Sequence, residues 1–144
     1  MSGEAADEDP ASEGGWQRRR GHDGRILRIR ADLASGRDGG SLPFTVRVLR
    51  AYTAAPDGMP GAAALGALDH FGVRLEEAAR RARAGVLAAE RAGAGVREWV
   101  WLAPSAAGLG GIVNALVHEL DEDGIDVEPA HDPDRSYLRS LLPD

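Results

Sequence analysis

From Arg25 onward apolar and polar positions alternate, with Leu27, Ile29, Ala31 and Leu33 on one side and Arg28, Arg30 and Asp32 on the other. A period of two is the mark of a half-buried strand. Phe44 to Ala51 repeats it, Phe44, Val46 and Val48 alternating with Thr45, Arg47 and Leu49. Between Ala62 and Ala84 the spacing lengthens to three and four, through Leu65, Leu68, Phe71, Leu75, Ala79 and Ala82, with charged residues filling the gaps. This predicts an amphipathic helix, and Gly85 reads as its stop. Val86 to Arg91 and Val96 to Ala103 are two further strand patterns joined by Ala92-Gly93-Ala94-Gly95, a connection short enough for a hairpin. Ser105 is placed to cap a second helix carrying Leu109, Ile112, Val113, Leu116, Val117 and Leu120, which Gly124 closes. Ile125 to Ala130 reads as a last strand, and 133 to 142 as a polar turn or short helix.

The order is β-β-α-β-β-α-β. Without its first strand this is the split βαβ arrangement, so the expected fold is an α+β ferredoxin-like sandwich: an antiparallel sheet of four to five strands with two helices on one face. In that topology the strand at 44–51 has both neighbours taken, so the strand at 25–33 is expected to pair at a sheet edge. The single domain is expected to span 25–144. Residues 1–24, rich in acids and arginines with only Trp16 to bury, read as a disordered tail.

Composition narrows the picture. With 144 residues, 43% hydrophobic and 28% charged, the chain suffices for one core. It has no Cys, which removes disulfides, thiolate metal sites and thiol nucleophiles. The net charge of −6 argues against sequence-independent nucleic-acid binding, yet it is unevenly spread: −5 over residues 1–15, +6 over 16–50 and −7 over 118–144. The acidic start lacks the features of a secretory signal, and no apolar run approaches the roughly 20 residues that span a bilayer. A soluble, cytoplasmic protein without membrane contact is expected.

The strand at 96–103 is the most informative segment. Alternation puts Arg97, Trp99 and Trp101 on one face and Glu98, Val100 and Leu102 on the other, so both faces carry apolar bulk. If Val100 and Leu102 meet the helices, the two Trp lie on an open sheet face and form a recognition platform or a dimer contact; if the Trp meet the helices, they are core. Arg28, Arg30 and Arg47 are candidates to share the Trp face. The candidate binding set is therefore Arg97, Trp99, Trp101 and Arg47. An RNA-stacking surface is a further reading of the same residues, but the Gly-aromatic pattern of RNA-recognition motifs is missing.

No other motif holds. Aligned as a calcium loop from Glu119, the acidic stretch has Asp121, Asp123 and Gly124 in place but Ala130 where a bidentate Glu is required. Gly108-Leu-Gly110-Gly111 lacks the third Gly of a dinucleotide fingerprint, and Ser105 lacks a nucleophile elbow. No catalytic, metal or cofactor set emerges.

Three stretches, Gly85 to Arg91, Arg97-Glu98-Trp99-Val100-Trp101-Leu102, and Asp132-Pro133-Asp134 through Tyr137 to Leu142-Pro143, carry a likeness. From Pro43 onward the chain resembles the bacterial family catalogued as domain of unknown function 695, over roughly 100 residues, though that family usually has an aromatic where this chain has Arg135. The resemblance implies a fold similar to the type B regulators of ribonuclease E, small acidic domains that bind a partner, and transfers no catalytic residue. The expected function is a non-catalytic binding or regulatory domain, acting through a sheet surface on a protein partner or as a homodimer. The alternatives are a small hydrolase using His131, Asp132 and Tyr137 in a C-terminal cleft, and an RNA-associated regulator.

Overall fold

The computed structural model describes residues 7–8, 15–21, 23–35 and 41–142. Its strands are β1 (Asp7–Glu8), β2 (Trp16–Arg20), β3 (Ile26–Arg30), β4 (Phe44–Ala51), β5 (Val86–Gly93), β6 (Val96–Ala103) and β7 (Ile125–His131), and its helices α1 (Ala62–Ala82), α2 (Ala106–Glu119) and α3 (Ser136–Ser140), with a 3-10 helix at Ala31–Ser35. They form one antiparallel sheet in the order β1-β2-β3-β5-β6-β4-β7, six full strands and the two-residue β1 at the edge. The last four places, β5-β6-β4-β7, are the ferredoxin-like core, with β4 central as its connectivity requires.

Two local devices set this register. Ala94 and Gly95 both have positive φ, 54° and 81°, the type I′ geometry whose twist matches a two-residue hairpin. The Ser105 hydroxyl accepts from Gly108 N at 3.1 Å and starts α2 as expected. The end of α1 differs: the left-handed cap is Arg83 (φ 52°), not Gly85. Gly85 serves close packing instead, because a Cβ there would lie 2.9 Å from the Leu102 carbonyl oxygen.

The expected sheet was too small and its second face too bare. β3 pairs with β5, at the edge of the four-strand core as anticipated, but β2 then pairs with β3. Reading 1–24 as a disordered tail therefore fails at Trp16–Arg20. The segment has few apolar residues, but it satisfies its backbone on β3 and rests Trp16 against the core, as a propensity argument over the tail alone does not anticipate. Residues 1–6, 9–14 and 22 lie outside the described residues.

The sheet is covered on both sides. Helices α1 and α2 bury Leu68, Phe71, Leu75, Leu109, Val113 and Leu116 against Val46, Val48, Trp99 and Trp101. On the opposite side α3 and the 3-10 helix close over Leu27, Ile29, Val100 and Leu102, with Leu138 of α3 fully buried at the centre. The residues read as a polar C-terminal turn or short helix do form a short helix, and its apolar side makes a second layer.

Candidate functional site

Trp99 and Trp101 are each only 1% exposed and lie beneath the helices. The proposed open Trp face does not exist, and neither indole is offered to solvent for base stacking. α1 comes down closely on Trp99 because Gly72 faces it: a Cβ at Gly72 would lie 2.9 Å from the indole Nε1. Arg47 and Arg97 are also separated. Arg47 pairs in register with Val100, so it shares the α3 side with Glu98, whereas Arg97 shares the α1 side with the Trp. Both faces of the 96–103 strand are apolar because both are core.

What the register does bring together is charge. In the β5–β6 hairpin, Glu90-Arg91 and Arg97-Glu98 run antiparallel, and successive residues point to opposite faces, so each dipeptide supplies one charge to each side of the sheet. On the α3 side Arg91 pairs directly with Glu98; on the α1 side Glu90 meets Arg97 diagonally.

The α3-side cluster centres on Glu98, 2% exposed. Its carboxylate accepts from Arg47 Nε at 2.6 Å, Arg91 Nε at 3.0 Å and the Tyr137 hydroxyl at 2.5 Å. Arg47 also donates to Glu128 at 2.9 Å, and its guanidinium lies 4.7 Å from the centre of the Tyr137 ring. Burial, reinforced by the bond to Glu98, pushes the Tyr137 phenol up to about 12. The Glu98 carboxylate is thus met by three donors, and the network ties β4, β5, β6 and α3 together.

The residues of the hydrolase alternative are similarly engaged. Asp132 accepts from the backbone amides of Ser136 and Tyr137, each at 3.0 Å, and these bonds, with that from the Thr45 hydroxyl, outweigh its burial and hold its carboxyl below the usual range. The His131 ring packs edge-on to Phe44, with centroids 5.2 Å apart, and the Tyr137 hydroxyl is given to Glu98. Asp132 thus holds the Tyr137 backbone amide, while the Tyr137 hydroxyl is turned to Glu98 and the His131 ring to Phe44.

The α1-side cluster is open. A cross-strand row runs Arg18, Arg28, Glu90, Trp99, Val48 from β2 to β4. Glu90 accepts from Arg28 NH1 and from Arg97 NH2, each at 2.7 Å, and Arg97 donates a second bond to Asp69 of α1 at 3.2 Å. Both guanidiniums rest on indoles, Arg28 at 4.6 Å from the Trp16 ring centre and Arg97 at 5.2 Å from that of Trp99. Such stacking contributes roughly 0.5–1 kcal/mol at partly exposed sites and fixes the plane of each fork. Between them lies a cavity of about 260 Å³, lined also by Arg18, Ile26, Met59 and Leu65. Met59 is delivered by the loop after β4, which is pinned to the hairpin tip where Gly58 O accepts from the Tyr52 hydroxyl at 2.7 Å and from Gly95 N at 3.2 Å.

Comparison with family models, curated proteins and solved structures finds no match.

Of the four sequence candidates, only Arg97 faces this cavity. Arg28, named as a candidate to share the Trp face, does lie on it, beside Glu90 and Trp99; Arg18 and Glu90 were missed. The available signal was Asp23-Gly24, a turn dipeptide between two Arg-rich stretches, with Trp16 as a lone large aromatic to anchor the first of them. No group of three or more His, Asp or Glu residues suited to holding a metal ion occurs among the described residues, and none of their helices is long and apolar enough to cross a membrane.

Proposed function

We propose that this chain is a non-catalytic binding domain that recognises a negatively charged ligand at the arginine-lined cavity between the β2–β3 hairpin, the β5–β6 hairpin and the start of α1. The observation that carries this reading is the bracing of Arg28 and Arg97. Glu90 and two indoles hold their guanidiniums in place before any ligand arrives, so little side-chain entropy remains to be lost on binding. Their partner Arg18 is exposed, and it forms no ion pair among the described residues. Two arginines of the +6 segment, Arg18 and Arg28, line the cavity, so that an anion is drawn in locally while the molecule as a whole, at −6, repels polyanions.

The test is an amide and arginine Nε–H chemical-shift titration of the full chain with acetate, phosphate and hexanoate at constant ionic strength. Shifts that cluster on Arg18, Ile26, Arg28 and Met59 and vanish in Arg28→Gln are expected. Shifts spread evenly over the surface, or unchanged in Arg28→Gln, would overturn the reading.

A further inference from the structure

The α1-side cavity differs from a simple basic patch in having two unlike halves. One half is formed by Arg18, Arg28 and Arg97; the other is an apolar wall of Ile26, Met59 and Leu65. Leu65 is 42% exposed, one of two large hydrophobic side chains left open on the described surface, and it borders the cavity rather than the core. Uncovered apolar area next to oriented donors is the composition of a small-molecule site.

Charge sets the valence of the guest. Four arginines line the cavity among the described residues: Arg91 is committed to Glu98 on the other side of the sheet, and Arg18, Arg28 and Arg97 share this side with the carboxylates of Glu90 and Asp69, which leaves one positive charge in excess among these five. A monoanion neutralises it. A dianion would place a second negative charge beside two carboxylates already there, at a Coulombic cost that arginines already paired with those carboxylates do not offset.

Size and shape set the rest. A volume of about 260 Å³ corresponds to roughly nine waters and falls below the ~300 Å³ at which drug-sized sites begin. That suits a short organic acid better than a nucleotide. The planar fork of an arginine matches a carboxylate in two-point contact, and the indoles beneath Arg28 and Arg97 keep those forks from turning away.

We infer that the cavity binds a small organic monocarboxylate, its carboxylate against Arg18 and the Glu90-braced arginines and its apolar body against Ile26, Met59 and Leu65. This rests on the cavity being the recognition site proposed above.

Dissociation constants from the same titration, extended to 1-hexanol, test it. Hexanoate is expected to bind at least about tenfold more tightly than acetate, phosphate or 1-hexanol, the scale expected when several methylenes leave water alongside a paired charge. Arg18→Gln is expected to weaken hexanoate by about fivefold or more, as one charge-assisted contact is lost. Leu65→Ser should bring hexanoate towards acetate. Both positions are exposed, so neither variant threatens the fold. Phosphate or acetate equal to hexanoate would overturn the ligand class while leaving an anion site standing. 1-Hexanol equal to hexanoate would overturn the role of charge, and no response at the cavity to any anion would overturn both this inference and the reading it rests on.

Discussion

Tyr137 donates its hydroxyl to the Glu98 carboxylate at 2.5 Å across 39 residues of sequence, and through that bond the C-terminal helix is fastened to the centre of the sheet. A neutral phenol is required for it. The folded value lies above the ordinary one, so the stability it lends is present below pH 10 and disappears as pH rises through about 12. In a Tyr52→Phe variant, which leaves Tyr137 as the only tyrosine, phenolate absorbance should emerge near 12. Emergence near 10 would show that the hydroxyl is free.

Replacing Glu98 by Gln removes the charge that both Arg47 and Arg91 face. Loss of one partner from a fully buried pair costs roughly 3–5 kcal/mol, and these arginines retain some access to water, so a loss of about 2–3 kcal/mol is expected in urea unfolding. An unchanged midpoint would mean that the network contributes nothing.

Leu138→Ala tests the second layer. The side chain is fully buried, and truncation should cost about 2–5 kcal/mol. If α3 were a loose appendage, the midpoint would not move.

Gly72→Ala puts a methyl group 2.9 Å from Trp99 Nε1, against a ring held in the core with no room to retreat. Overpacking of this kind costs about 1–3 kcal/mol, whereas alanine elsewhere in a helix is usually stabilising relative to glycine. Gly66→Ala, where an added Cβ meets nothing within 4 Å, is the internal control and should hold or gain stability.

Asp132→Asn should weaken the start of α3 by about 1 kcal/mol at neutral pH. The carboxyl is depressed in the folded state, so its contribution is present above the unfolded value of 3.8 and is lost as pH falls through the lower folded one. The gap between the native chain and the variant in thermal unfolding should therefore close in acid. A gap that widened in acid would contradict the assignment.

Periodicity along the chain was enough to read the four core strands, the two long helices and their ferredoxin-like connection, because apolar spacing reports which side of each element leaves water. The position of the strand expected at 25–33 at the core edge also followed, since β4 had no free neighbour, but the strand is Ile26–Arg30 and the chain turns into a 3-10 helix at Ala31–Ser35. Ser105 as a cap was equally local.

Which side of the sheet each alternating set faces is not a local property. The segment Arg97-Glu98-Trp99-Val100-Trp101-Leu102 is apolar on both faces, and either set suits a helix-covered side. The choice was made by Gly72, which admits α1 over Trp99, and by Leu138, which closes the other face. The Glu98 network and the cavity around Arg18, Arg28 and Arg97 depend in the same way on strand order: β2 and β3 are joined to β5 over some sixty residues, and only that pairing sets Arg28 against Glu90. Sequence alone determined the elements of the four-strand core, its two long helices and their connectivity, through the one-dimensional rhythm of burial; β2, read as tail, it did not. Tertiary structure decided which charges meet and where an opening remains, because those depend on contacts between segments that no spacing along the chain encodes.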